Sequence, residues 1–290
     1  KYTPSLTKDL LLPTPGPCKD CDVIPREFAL GAGFYGWLLS DTNISTSSVV
    51  LQRLHMGTLG VTYTSINSMK GQKMAGTALD TDDSGDVFWV GYTGNTFASE
   101  RGLLQRRNAS GAMKYYVTAA GTSYGVRLYA VDALAGGHAL AGGVARDDVK
   151  IHRRFVGRWD ASGKRLWSWL PKDADMSAIS SVLWQADGTF LTVFERALGT
   201  KNQIYFTRQS ATTTVFEQLL RPDAAVVASA SPGTLIAHPD GGWLLGASYV
   251  YADEPKGPPP NHGLFRISEW GPADCESLGD CVNKTAADCD

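Results

Sequence analysis

Hydrophobic residues in this chain come in short bursts that are separated by turns rich in Gly and Asp. The stretch from His138 to Pro171, HALAGGVARDDVKIHRRFVGRWDASGKRLWSWLP, contains three such bursts. In the last burst Trp167 and Trp169 are two residues apart, which places both side chains on one face of a strand. No segment shows the 3.6-residue period of a long helix. The pattern therefore predicts an all-β protein.

The bursts recur at a regular step along the chain. The first recurring element is an apolar burst that ends in Gly in four of its five copies: Phe28–Gly31, Phe88–Gly91, Ala139–Gly142, Phe190–Val193 and Trp243–Gly246. The second is an apolar pair or triplet that leads to an arginine: Arg53, Arg106, Arg158, Arg208 and Arg266. Successive arginines are 53, 52, 50 and 58 residues apart. This step matches one blade of a β-propeller.

Each period has room for four strands, so we expect a single β-propeller of five four-stranded blades. In the fourth copy the strands are predicted at 180–185, 189–194, 204–208 and 214–220. The tryptophans inside the bursts are expected to pack between blades: Trp89, Trp159, Trp184 and Trp243. The repeated arginine is expected to form hydrogen bonds or ion pairs between blades, because five identical catalytic groups are implausible.

Ring closure is predicted to involve the N-terminal segment. The fifth copy has no good fourth strand after its third, whereas residues 3–13 end much like the fourth strand of copy four. We expect the N-terminal strand to be the outer strand of the fifth blade, which would hide exposed sheet edges. The propeller is assigned to 1–274, with the clasp strand and first inner strand in 1–26. Residues 275–290 are assigned to a cysteine-containing tail or linker.

The repeat resembles that of the secreted bacterial β-propeller-repeat proteins. Asp240–Gly246 (DGGWLLG) and Gly157–Trp167 (GRWDASGKRLW) carry the likeness best. The resemblance covers nearly the whole chain and implies a propeller at the cell exterior. It implies no particular activity, because many such proteins have no assigned chemistry.

The cysteines favour an oxidising compartment. They lie only near the two ends: Cys18, Cys21, Cys275, Cys281 and Cys289. Such clusters predict disulfides in a secreted or cell-surface protein. A bond across the seam between the two ends and a local Cys18–Cys21 bond are both open, and a zinc site is the minority alternative. The partner of Cys289 is expected beyond this sequence.

Charge and hydropathy reduce the number of partner classes that the sequence favours. The formal net charge is −2 and no run of Lys or Arg exceeds two residues, so we expect no nucleic-acid partner. No apolar stretch approaches the roughly 20 residues that span a bilayer, so membrane insertion is not expected. The remaining partners are a protein or a glycan at the cell exterior.

Loop length suggests a ligand-binding lip between the first and fifth blades. From the last residue of each burst to the repeated arginine the gap is 22, 15, 16, 15 and 20 residues. The long gaps belong to blades that become neighbours once the ring closes. Aromatic and acidic side chains there suit a sugar or a peptide. The candidates are Tyr35, Trp37, Tyr249, Tyr251, Asp253, Glu254 and His262.

Two further patterns involve acidic residues. Asp80, Asp82 and Ser84 resemble the start of a calcium loop, but Gly91 stands where a bidentate Glu belongs. An Asp-rich β-turn is the preferred interpretation, and calcium is the only cofactor considered possible. Glycoside-cleaving propellers need paired carboxylates on inner strands, for which the candidates are Asp22, Asp82 and Asp132.

Three functions therefore compete. The first is a noncatalytic propeller that serves as a binding or assembly module, as part of a larger extracellular protein. The second is a lectin-like, carbohydrate-binding propeller. The third is a glycan-active five-bladed enzyme, and no residue is assigned as catalytic.

Overall fold

Five antiparallel sheets make up the described part of the computed structural model. The structure describes residues 23–267 except 32, 43–47, 59, 97–98, 121–123, 148–151, 172–176, 199–200, 221–226, 239–240 and 252–260. Within these residues no helix is long and apolar enough to cross a membrane.

The sheets follow one another along the chain. Sheet 1 contains β1 Val23–Leu30, β2 Tyr35–Thr42, β3 Val49–His55 and β4 Gly60–Asn67. Sheet 2 contains β5 Met74–Thr81, β6 Val87–Thr93, β7 Arg101–Arg107 and β8 Met113–Ala119. Sheet 3 contains β9 Tyr124–Leu134, β10 His138–Asp147, β11 His152–Trp159 and β12 Arg165–Trp169. Sheet 4 contains β13 Ala178–Trp184, β14 Phe190–Leu198, β15 Lys201–Gln209 and β16 Thr214–Leu220. The described strands of sheet 5 are β17 Val227–Ala237, β18 Trp243–Tyr251 and β19 Asn261–Ile267.

The sheets pack face to face in chain order, with their first strands adjacent. Strand β1 lies beside β5, β5 beside β9, β9 beside β13, and β13 beside β17. Strands within each sheet are hydrogen-bonded in sequence order. Successive antiparallel sheets that meet through their first strands form the radial arrangement of a β-propeller. The predicted all-β, propeller-type fold is therefore confirmed, and the strands predicted for the fourth copy agree with β13 to β16 within a few residues.

Apolar cores fill the spaces between consecutive sheets. Trp89 packs with sheet 1 residues, Trp159 packs with sheet 2 residues, and Trp243 packs with sheet 4 residues. All three are buried. The expectation that these tryptophans pack between blades is confirmed.

The repeated arginine fixes the alignment of the sheets. Each arginine lies in the third strand of its sheet and pairs with a residue of the second strand. From sheet 1 to sheet 5, these partners are Trp37, Phe88, Leu140, Leu191 and Leu244. The second strand of sheet 1 is therefore β2, and the burst Phe28–Gly31 belongs to the first strand, β1, and to the residue after it. Taking this burst for the second strand was wrong, because an inner strand of sheet 1 also carries an apolar burst. The long loop inferred from that 22-residue gap does not exist.

A β-bulge in the first strand recurs in sheets 1 to 4. The residue without a partner on the second strand is Arg26, Thr77, Tyr129 and Ser180, respectively. A bulge increases local twist, and here it brings the first strand close to the second. A Cβ on Gly91 would clash with the carbonyl oxygen of Ala75, one residue before Gly76. The Gly that ends the burst in this sheet is thus required by the close backbone approach at the bulge.

Candidate functional site

Carboxylates on the first strands connect each sheet to the next. The Glu27 Oε2 accepts a hydrogen bond from the Leu79 backbone N–H at 2.9 Å. The Asp80 Oδ2 accepts one from Ala133 N–H at 2.8 Å, and Asp132 Oδ2 accepts one from Trp184 N–H at 2.6 Å. Three consecutive sheet boundaries therefore share one device.

The device exists because the first strand of each sheet is an edge. Half of its N–H groups point away from the second strand and need another acceptor. At the fourth boundary a hydroxyl takes the role: the Ser181 Oγ accepts from Leu235 N–H at 3.0 Å. An acceptor side chain at each of the four described boundaries thus satisfies an edge N–H of the following sheet.

Burial raises the pKa of all three carboxyl groups. Desolvation is the largest cause in each, and the hydrogen bonds from the backbone partly oppose it. The pKa values of Glu27 and Asp132 are both raised to about 7, and that of Asp80 is raised. The charge of Asp80 adds to the rise at Glu27 and Asp132. The three groups therefore form one electrostatically connected row around the inner strands, which we call the inner carboxylate row.

The inner carboxylate row corresponds only in part to the predicted acids. Asp132 belongs to it, whereas Asp82 lies in the turn after β5 and Asp22 is outside the described residues. Glu27 was missed, and Asp80 was considered only as a calcium ligand. The spacing of 53 and 52 residues between Glu27, Asp80 and Asp132 equals the repeat step, and this signal could have identified them.

The turn at Asp82 explains the calcium-like pattern. The Asp82 Oδ1 accepts hydrogen bonds from Ser84 N–H, Ser84 O–H and Asp86 N–H. In the turn after β7 the Asn108 Oδ1 accepts the corresponding three hydrogen bonds. Because Asn108 is neutral, this turn forms without a charge that would attract a cation. Asp80 is directed away, to Thr81 N–H and to sheet 3. The geometry supports the β-turn interpretation, and in the described ranges no group of three or more His, Cys, Asp or Glu could hold a metal ion.

The repeated arginines connect neighbouring sheets. Arg106 donates to the carbonyl oxygens of Gly137 and Ala161 in sheet 3, each at 3.2 Å, and forms an ion pair with Asp86 at 2.8 Å. Arg53 donates to the carbonyl oxygen of Ala109 in sheet 2. The predicted contact between blades is confirmed for these two arginines. Arg208 differs, because its ion pair at 2.7 Å is with Asp187 of its own sheet.

Two residues of the predicted binding lip, Tyr35 and Trp37, lie in strand β2 of sheet 1. Trp37 is only 1% exposed and belongs to the core between sheets 1 and 2, so its assignment as a ligand-binding residue was wrong. Tyr35 begins β2, next to the turn from β1, and its ring meets His55 edge-on at 5.3 Å. Neither residue lies in the loop between the second and third strands.

The fifth-sheet members of the lip lie at the other end of their strands. Tyr249 and Tyr251 lie at the C-terminal end of β18. His262, near the start of β19, pairs with Ser248 of β18. This end leads to the loop between the second and third strands, opposite to the end where Tyr35 lies. Asp253 and Glu254 are outside the described residues, as are Cys18, Cys21, Cys275 and Cys281. The corresponding ligand and disulfide assignments stay predictions.

Comparison with known proteins finds similarity in fold but not in sequence. No protein-family model and no curated protein sequence matches the chain. A protein of unknown function from Dyadobacter fermentans has a TM-score of 0.55 and 13% identity, over 86% of each chain. The polysaccharide lyase Uly1 has a TM-score of 0.52 and 10% identity, over 84% of this chain and 58% of its own. A subtype N11 neuraminidase-like protein has a TM-score of 0.50 and 9% identity, over 84% of this chain and 87% of its own.

These similarities concern the fold alone. The chain spans little more than half of the lyase with which it aligns, and identities near 10% say nothing about shared chemistry. The radial packing of the sheets and these structural matches together make the chain a β-propeller-type protein.

Proposed function

We propose that the chain is a noncatalytic β-propeller that acts as a binding or assembly module at the cell exterior, as part of a larger protein. The observation that carries the proposal is the inner carboxylate row. Glu27, Asp80 and Asp132 each hold a backbone N–H of the next sheet. Acids engaged in this way keep the sheets together, and a hydrolytic role would require two of them to turn toward a substrate.

The exterior location rests on the sequence. Five cysteines are confined to residues 18–21 and 275–289, which is the pattern of covalent fastening in an oxidising compartment. The resemblance to secreted propeller-repeat proteins points the same way.

The second candidate is a glycan-active enzyme. It is favoured by the pKa values of Glu27 and Asp132, which burial raises to about 7. A carboxyl group with such a pKa is suited to act as a general acid near neutral pH. The two candidates agree on the location of the acids and differ in what the acids do.

Incubation with soluble polysaccharides separates the candidates. A panel of neutral and acidic polysaccharides is treated with the wild-type protein and with Asp132→Asn, and chain length and new chain ends are followed by mass spectrometry. We expect retention of at least one polysaccharide in affinity electrophoresis and unchanged chain length. Asp187→Asn, at an exposed turn acid, is the control. Shortening by wild type and by the control, but not by Asp132→Asn, would establish the enzyme instead.

We further propose that the five sheets close into a ring, with the N-terminal strand in the fifth blade. Phe28 of β1 is 43% exposed, whereas the corresponding residues of sheets 2, 4 and 5, Leu79, Val182 and Leu235, are each 4% exposed. Leu30 on β1 and Ile236 on β17 are 66% and 51% exposed. Apolar side chains on the outward faces of both end sheets would be covered if sheet 5 packed against sheet 1.

A charge introduced at the boundary between sheets 5 and 1 tests whether the ring closes there. Leu30→Asp would bury a carboxylate if the sheets close, so we expect the free energy of unfolding to fall by about 2 kcal/mol. Met113→Asp, at an outer-strand residue that is 57% exposed, is the matched control and should change little. Equal stability of the two variants in urea denaturation would mean that the ring is open at this seam.

A further inference from the structure

The repeated arginine of sheet 3 differs from its counterparts in sheets 1, 2 and 4. Arg53 and Arg106 donate hydrogen bonds to carbonyl oxygens of the following sheet. Arg208 donates to Thr189 and Asp187. In the described part of the chain the Arg158 Nε has no hydrogen-bond partner, and its guanidinium instead lies 4.2 Å from the ring centroid of Trp184.

The turn between the first two strands explains the missing acceptor. In sheet 2 this turn supplies Asp86 to Arg106, and in sheet 4 it supplies Asp187 to Arg208. In sheet 3 the same turn is the short 3-10 segment Ala135–Gly137, which has no carboxylate. The arginine at this repeat position in sheet 3 thus lacks the anion that accompanies it in sheets 2 and 4.

Further aromatic rings lie next to the Trp184 ring that this guanidinium contacts. Trp167 pairs directly with Arg158 on the neighbouring strand, and its ring centroid is 6.5 Å from that of Trp184. Trp167 also stacks on Phe190 at 5.4 Å. Both tryptophans are only partly buried, and the adjacent Leu166 is 47% exposed. The cluster therefore lies at the surface end of the boundary between sheets 3 and 4.

A second polar group without a partner lies on sheet 4, in line with Trp184. Trp184 pairs with Phe190, and Phe190 pairs with Gln209, so the three side chains share the face of sheet 4 that is turned to sheet 3. Gln209 is fully buried, and neither of its side-chain amide atoms has a hydrogen-bond partner in the described residues. The Gln209 amide is enclosed by protein, so the polar group that a ligand can reach is the partly exposed Arg158 guanidinium.

We propose that Arg158, Trp167 and Trp184 form a binding site for an acidic sugar, that is, a glycan residue that carries a carboxylate. A guanidinium has a planar set of donors that matches a carboxylate in a two-point contact. Indole surface beside it suits the apolar face of a pyranose ring. This site rests on the proposed function and gives it a ligand class. It is distinct from the predicted lip and from the inner carboxylate row.

The neighbourhood favours a sugar over an acidic peptide. Arg158 offers one anionic contact next to the Trp184 ring, and Trp167 adds apolar surface. Further along the same boundary, Arg154 and Arg196 are ion-paired with Glu217. Several spaced cations would be needed for a run of acidic side chains. The rims of the partly exposed indoles extend the apolar surface next to Arg158 and leave the charge at one point.

Calorimetric titration with a tetrasaccharide of galacturonic acid tests the site. The fully methyl-esterified tetrasaccharide is the neutral probe, because it keeps the rings and removes the charges. We expect wild type to bind the acid at least about tenfold more tightly than the ester, which corresponds to one charge-assisted hydrogen bond. Arg158→Gln should lose about the same factor. Arg208→Gln, at the same repeat position in sheet 4, should bind as wild type does.

Further variants and probes keep the test decisive. Arg158→Lys retains the charge and the stem, so it should fold even if Arg158→Gln does not, and it should still lose most of the preference for acid over ester. Equal binding of acid and ester, unchanged binding by Arg158→Lys, or tighter binding of tetraglutamate would each overturn the proposal. If Arg158 variants bind normally but no cleavage is seen, the noncatalytic function stands and this site falls. Cleavage of the tetrasaccharide would remove the proposed function itself.

Discussion

Replacing Arg106 with glutamine is expected to lower the free energy of unfolding by about 3 kcal/mol. The Arg106 and Asp86 side chains are only 12% and 10% exposed, and their ion pair measures 2.8 Å. Removing one partner leaves a buried, uncompensated carboxylate, which is strongly destabilising. The variant also loses both hydrogen bonds to sheet 3. The loss is measured by urea denaturation followed by circular dichroism.

Arg208→Gln is the matched control for this prediction. It removes the same repeated arginine, but the Asp187 side chain is 49% exposed and belongs to the same sheet. An ion pair with such a partner contributes little to stability. The loss for Arg208→Gln should therefore be clearly smaller. Equal losses for the two variants would refute a role of Arg106 in joining sheets 2 and 3.

The second large effect is a change in how stability depends on pH. Burial raises the pKa of Asp132 from 3.8 to about 7, so the folded protein binds more protons than the unfolded chain between these values. The contribution of Asp132 to stability is therefore full below about pH 4 and declines as pH rises to about 7. Asn cannot ionise and still offers an oxygen to the Trp184 N–H. Asp132→Asn should be more stable than wild type at pH 8, by on the order of 2 kcal/mol, and should lose this advantage at pH 4.

Asp187→Asn is expected to show the opposite sign. Hydrogen bonds from Thr189, together with Arg208, lower the pKa of Asp187 to about 2. Its contribution is present above the ordinary pKa of 3.8 and declines as pH falls toward 2. Thermal melts of Asp132→Asn at pH 4 and pH 8, and of Asp187→Asn at pH 2 and pH 5, check the two signs. If the difference in stability between wild type and Asp132→Asn did not change with pH, Asp132 would be well solvated in the folded protein.

The repeat made the architecture predictable from sequence, because a step near 52 residues with one arginine per copy leaves few alternatives. The first copy failed because Phe28–Gly31 and Trp37–Ser40 are both apolar, and only strand pairing tells which is the second strand. That single misassignment created the long loop and, with it, half of the predicted binding lip.

The inner carboxylate row was harder to predict for a physical reason. Glu27, Asp80 and Asp132 act on backbone N–H groups of another sheet, and a backbone donor leaves no signature in the sequence. Their regular spacing was visible, but acids at turns repeat with a similar step. Arg158 shows the converse: its motif is the same as in the other copies, and only the structure shows that the turn acid of sheets 2 and 4 is the acceptor that sheet 3 lacks.

A crystal structure of the protein grown with the galacturonic acid tetrasaccharide tests the central claim most directly. We expect a sugar carboxylate within hydrogen-bond distance of the Arg158 guanidinium, and Asp132 still bound to the Trp184 N–H. The same structure would show whether sheet 5 packs on sheet 1. A sugar bound at the centre of the propeller, with Asp132 turned away from Trp184 and toward a glycosidic bond, would contradict a noncatalytic role.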